Sequence, residues 1–117
     1  MSVEEILKMM EERLGQEPRP MVLMSKLMPA LIPKHMQDMK FVMELPNIPT
    51  KYKQLIMIAV TVAFGSPHCT ESQIKMAHRA GVSKEEIAEA IVTARFTLGA
   101  TTVVTATEGM EYLVEKG

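Results

Sequence analysis

Leu55-Ile56-Met57-Ile58-Ala59-Val60-Thr61-Val62-Ala63-Phe64-Gly65-Ser66-Pro67-His68-Cys69 is the stretch on which the reading turns. Its first ten residues are apolar apart from Thr61, without the strict alternation of a half-buried strand, and they end at a glycine. They read as the end of a helix running from about Pro49 to Phe64, apolar nearly all round after Gln54 and so expected to be central and buried on most sides. Gly65-Ser66-Pro67 breaks that helix. Pro67 suits the first turn of the next one, from His68 to Ala80, which stops at Gly81.

Outward from this break, punctuation marks further helices. Ser2-Val3-Glu4-Glu5 and Ser83-Lys84-Glu85-Glu86 are capping boxes. The first opens a helix with Ile6, Leu7, Met10 and Leu14 at helical spacing, closed by Gly15. The second opens a helix presenting Ile87, Ala90, Ile91, Ala94 and Leu98, which Gly99 is expected to end or bend. All seven prolines lie between Pro18 and Pro67, so short, broken helices come first and longer ones later. Pro20 opens a short helix carrying Met21, Met24 and Met28, and a third runs from about Pro33 to Glu44 with Met36, Met39 and Met43 on one face. Thr101-Thr102-Val103-Val104-Thr105 is β-branched and locally strand-like. A lone strand has no pairing partner, so the segment reads as helix, with Gly109 its weak point. The expected fold is an all-α small helical bundle of about six to seven helices, consecutive ones antiparallel. It forms one domain over 1–117, with residues 1–48 as N-terminal helices and 49–117 as the core.

Composition narrows the function. The chain has 117 residues, 47% of them hydrophobic, one domain's worth and enough for one core. Net charge is -1 with no segment of one sign, which gives no electrostatic support to nucleic acid or a membrane surface as partner. The longest apolar stretch, Leu55 to Phe64, is short of the roughly 20 residues that cross a bilayer. The acidic start, Met1 to Glu5, is not read as a signal peptide. The one cysteine excludes an intramolecular disulfide and a cysteine zinc site within one subunit, and fits a reducing, cytoplasmic setting. His35 and His78 are not paired at metal-ligand spacing, and no cofactor is expected. Aromatics are 4% and methionine reaches twelve. Thioether rows can bind Cu(I), but the same spacing presents a buried stripe, and packing is the preferred reading.

The chemistry concentrates at the break. Cys69 falls in the first turn of a helix, where free amides and the helix dipole stabilise an anion such as a thiolate. His68 is adjacent and can assist proton transfer. Gln73 lies one turn after Cys69, Ser66 three residues before it, and Gln54 on the preceding helix. Each also has a plainer reading: Cys69 as a small buried hydrophobe, His68 as a helix-start residue, and Gln54 with Gln73 as a hydrogen-bonded pair between packed helices. Glu71, two residues from Cys69, points to another helix face, and Arg95, among apolar residues, is expected to cover a subunit edge with a carboxylate partner.

This pattern resembles the carboxymuconolactone decarboxylase and alkylhydroperoxidase D superfamily. The resemblance covers Lys53 to Glu108, through Gln54-Leu55-Ile56, Ala59-Val60, Gly65 to Cys69, Ala80-Gly81 and Ser83 to Ile87 with Glu89-Ala90. It implies a trimeric or hexameric helical enzyme. In the peroxidase branch a glutamate, a CxxC cysteine pair and two histidines relay protons while a thiolate attacks peroxide. His68 and Cys69 match that set. Gln54 stands for the glutamate, Ser66 for the first cysteine and Gln73 for the later histidine. The resemblance thus implies peroxiredoxin-like antioxidant thiol chemistry, single-cysteine and altered, with Cys69 and His68 catalytic, Gln54, Ser66 and Gln73 lining a substrate pocket, and an external thiol as reductant. The alternatives are decarboxylation of a small carboxylated lactone, or a non-catalytic oligomer that binds a small molecule in a Met-lined pocket.

Overall fold

Helix stops and starts set the architecture. The computed structural model describes all 117 residues as seven α-helices: α1 (Val3–Leu14), α2 (Arg19–Leu27), α3 (Leu31–Glu44), α4 (Thr50–Phe64), α5 (Pro67–Arg79), α6 (Lys84–Thr105) and α7 (Thr107–Lys116). Both capping boxes form. Ser2 Oγ accepts from the Glu5 amide at 3.1 Å, and Ser83 Oγ accepts from the Glu86 amide at 3.1 Å. Gly65, at φ 69°, reverses the chain after α4: its amide donates to Val62 O and the Ser66 amide to Thr61 O, which satisfies two carbonyls of the last turn.

Helices α4, α5 and α6 form the principal core, with Ile58, Ala77, Val82 and Ile87 buried and Leu55, Val62, Ile74 and Ile91 packed around them. Ile58 is fully buried, worth about 2 kcal/mol over exposure. A second layer joins α1 to α3 and α5, with Ile6, Leu14 and Ile32 inside. The basic end of α5 fastens onto the last turn of α1: Arg79 donates to Glu12 O at 3.0 Å and Lys75 to Gln16 Oε1 at 2.6 Å. Gly15, at φ 80°, takes the left-handed conformation in which a side chain is strained, and a Cβ there would also displace the Arg79 guanidinium.

Lys53, in the polar first turn of α4, is buried and caps the C-terminal end of α3. Its Nζ donates to Val42 O and Leu45 O at 2.7 Å each and to Met43 O at 3.3 Å. A cation at a helix C-terminus opposes the negative end of the dipole and satisfies carbonyls of the last turn, of which Val42 O also accepts from the Leu45 amide at 3.4 Å.

Three expectations are corrected. Gly99 does not end α6, which continues to Thr105; the break falls at Ala106. Thr93, Thr97, Thr101 and Thr105 each donate to the carbonyl four residues back, at 2.7, 3.0, 2.9 and 2.8 Å. The hydroxyls are thereby satisfied inside the helix, and the β-branched run is held helical. Second, α4 is central but not enclosed: Ile56, Val60 and Phe64 are exposed, because nothing in the chain covers that face. Third, the core is thin, with ten buried residues, and none lies between Arg95 and Gly117. The radius of gyration is 18.7 Å, against about 13 Å for a compact domain of this length. At 22 residues α6 is also long and apolar enough, by length and composition, to cross a membrane.

The start of α6 makes the fold acid-sensitive. Glu86 pairs with Lys51 at 2.9 Å and accepts from Ser83, and these contacts lower its pKa from an ordinary 4.5 to about 2. A depressed carboxylate stabilises the fold above its unfolded pKa and loses that contribution as pH falls through the folded one. Stability should therefore decline between about pH 4.5 and 2. In Glu86→Gln this part of the decline disappears, as denaturant midpoints measured across that range would show.

Candidate functional site

The α4–α5 break is built as the sequence suggests. Ser66 is the N-cap of α5, Pro67 occupies its first turn, and Ser66 Oγ accepts from the Cys69 amide at 3.4 Å. Cys69 is a free, exposed cysteine one turn into the helix, and His68 beside it is exposed. The reading of Cys69 as a buried hydrophobe is thus excluded in the subunit. Cys69 and Gln73 share a face at one-turn spacing, and Gln73 is half-buried. Ser66→Ala should cost about 1 kcal/mol of stability, the worth of an N-cap. It should also slow alkylation of Cys69, measured by intact mass, as the first turn frays.

Gln54 and Gln73 do not form the expected pair. Both are half-buried, with no hydrogen bond between them and no buried polar atom left unpartnered. The reason is axial: Gln54 stands roughly 16 Å along α4 from the turn and Gln73 roughly 10 Å along α5, about one helical turn out of step.

An open groove of about 600 Å³ runs beside the turn, lined by Val62, Ser66, Thr70 and Ile74, with Glu71 and Lys75 at its edge. Ser66 reaches it. Cys69, His68, Gln54 and Gln73 do not line it, because Thr70 and Ile74 lie about 100° round α5 from Cys69 and Gln73. Lys75 bonds Glu71 at 2.8 Å and holds its carboxyl below the ordinary range, with a smaller contribution from His68. Glu71 is therefore an ionised carboxylate and a poor proton donor. Arg95 forms no ion pair within the chain; the subunit's pairs join Lys40 to Glu44, Lys51 to Glu86 and Lys75 to Glu71.

A helical bundle with a helix-breaking Gly-Ser-Pro-His-Cys turn between its two central helices defines a class, and comparison agrees with it. The family described as carboxymuconolactone decarboxylase matches residues 30–111, and the chain belongs to that family. Comparison with curated proteins gave no match.

Proposed function

We propose that this protein is a single-cysteine, thiol-dependent peroxidase-like oxidoreductase, centred on Cys69 with His68 as proton carrier. The observation that carries the reading is the exposed thiol in the first turn of α5, next to His68 and at the positive end of the helix dipole. Thiolate sulfur attacks one peroxide oxygen, the O–O bond breaks, and the departing oxygen takes a proton from His68. Cys69 becomes a sulfenic acid. An external thiol then attacks that sulfur, releasing water and leaving a mixed disulfide, and a second thiol frees Cys69 with formation of the external disulfide. The chain has no second cysteine to close this cycle, so the reductant comes from outside, as in a reducing cytoplasm.

Decarboxylation is less well supported, since it asks for a proton donor and the carboxylate beside the groove, Glu71, is held ionised. The reading includes assembly into a homo-oligomer, trimeric or hexameric, supported by the thin core and the exposed apolar faces of α4 and α6. The test is peroxide consumption with small dithiols as reductant: turnover that is lost in Cys69→Ser supports the reading, and turnover that survives the substitution refutes it.

A further inference from the structure

We infer that α6 pairs antiparallel with α6 of a second copy of this chain, about a two-fold axis between Phe96 and Gly99, each copy's Phe96 seated on Gly99 of the other. This rests on the homo-oligomer reading above in its hexameric form, since a trimer has no two-fold axis, and names one of its surfaces.

Helix α6 has two apolar faces. Ile87, Ile91 and Ala94 turn toward the core. On the opposite side Val92, Phe96, Gly99 and Val103 fall on one line, with Val92, Phe96 and Val103 exposed at 62%, 64% and 60%. A helix apolar on both sides is stable in water when both are covered, and nothing in the subunit covers this one. Gly99 has no heavy atom within 4 Å of where its Cβ would be. A mid-helix glycine costs helix stability, and the subunit's own packing does not need it.

The spacing of the line identifies the occupant. Steps of four, three and four residues read the same in both directions. An antiparallel twin therefore sets Phe96 against Gly99 and Val92 against Val103. The largest side chain meets the missing one, and the two valines meet each other, so the stripe is complementary to itself as a two-fold contact requires.

The area agrees. The chain exposes 8658 Å², whereas a compact monomer of 13.1 kDa exposes about 6,400 Å². The excess, roughly 2,300 Å², is what one subunit gives to obligate interfaces that bury ~2,000–5,000 Å² in all. A bilayer fits poorly: the first half of α6 buries Ile87 and Ala94 in the protein core, and Glu89 and Arg95 lie inside any stretch long enough to cross.

The test uses the full chain with Cys69→Ser as background. Chains carrying Val92→Cys are mixed with chains carrying Val103→Cys and treated with a short bismaleimide. A covalent dimer should form in the mixture and in neither chain alone, because like positions lie about 16 Å apart along the paired helices. Gly99→Leu should lower the native mass while leaving helicity unchanged, since it meets nothing in its own subunit. An oligomer that keeps its mass in Gly99→Leu and gives no mixture-specific link overturns this pairing and leaves the homo-oligomer reading standing. A wild-type monomer at micromolar concentration overturns both. A monomer that binds phospholipid vesicles through α6 gives that face to a bilayer and likewise overturns the pairing.

Discussion

Cys69→Ser should reduce thiol-dependent peroxide consumption to the background of the external thiol alone. The change removes the chain's only thiol and replaces an exposed side chain with one of similar size. Stability should therefore stay within about 0.5 kcal/mol of the parent, as for surface substitutions away from caps and core. That combination, lost turnover in an intact fold, separates a chemical role for Cys69 from a structural one. His68→Asn should act on the same step more weakly, slowing turnover by about 100-fold, the low end for loss of a proton-transfer group, because solvent reaches this position. Steady-state peroxide assays with circular dichroism on the same samples check both.

Lys53→Met should give the largest loss of stability among single changes outside the hydrophobic core, about 3 kcal/mol. Methionine matches the length and apolar stem of lysine, so packing is nearly conserved. What goes is the ammonium that serves the carbonyls of Val42, Met43 and Leu45 at the end of α3. Val42 O keeps the Leu45 amide at 3.4 Å, but Met43 O and Leu45 O lose their donor, which costs desolvation as well as the charge-assisted bonds. Urea unfolding at fixed protein concentration would measure the loss, the concentration being held because assembly adds to apparent stability. Lys51→Met is the control: that lysine pairs with Glu86 at the surface, where exposed ion pairs contribute little, and its effect should be far smaller.

Lys53 also shows where sequence reading stopped. A lysine in the polar first turn of a helix carries no local sign of burial. Its role depends on α3 ending against α4, a relation no periodicity encodes. Chain punctuation was legible because capping is local: Ser2 with Glu5, Ser83 with Glu86, and the left-handed Gly15, Gly65 and Gly81 act within a few residues of themselves. The same locality made the break at Gly65-Ser66-Pro67 legible, but not the N-cap that Ser66 places on the Cys69 amide. Gln54 and Gln73 were misjudged because a pairing across helices depends on axial register, which the length of a turn does not fix. The β-branched run Thr101 to Thr105 reads correctly as helix, but the extent of α6 was misjudged because Gly99, a poor helix former, argues for a stop. The threonine hydroxyls answer by bonding back to the helix that holds them. The burial of α4 was overestimated because apolar composition tells that a face is apolar, not that this chain covers it.

The central claim, that Cys69 is the reacting centre of a peroxide-reducing site, is tested most directly by trapping its first product. Folded protein and chain unfolded in denaturant would be exposed to equal peroxide with dimedone present and followed by intact mass. The account predicts one dimedone adduct per chain, located at Cys69, forming several times faster in the folded protein than in the unfolded one. Equal rates, or a slower folded chain, would mean that the first turn of α5 does nothing for the thiol and would contradict it.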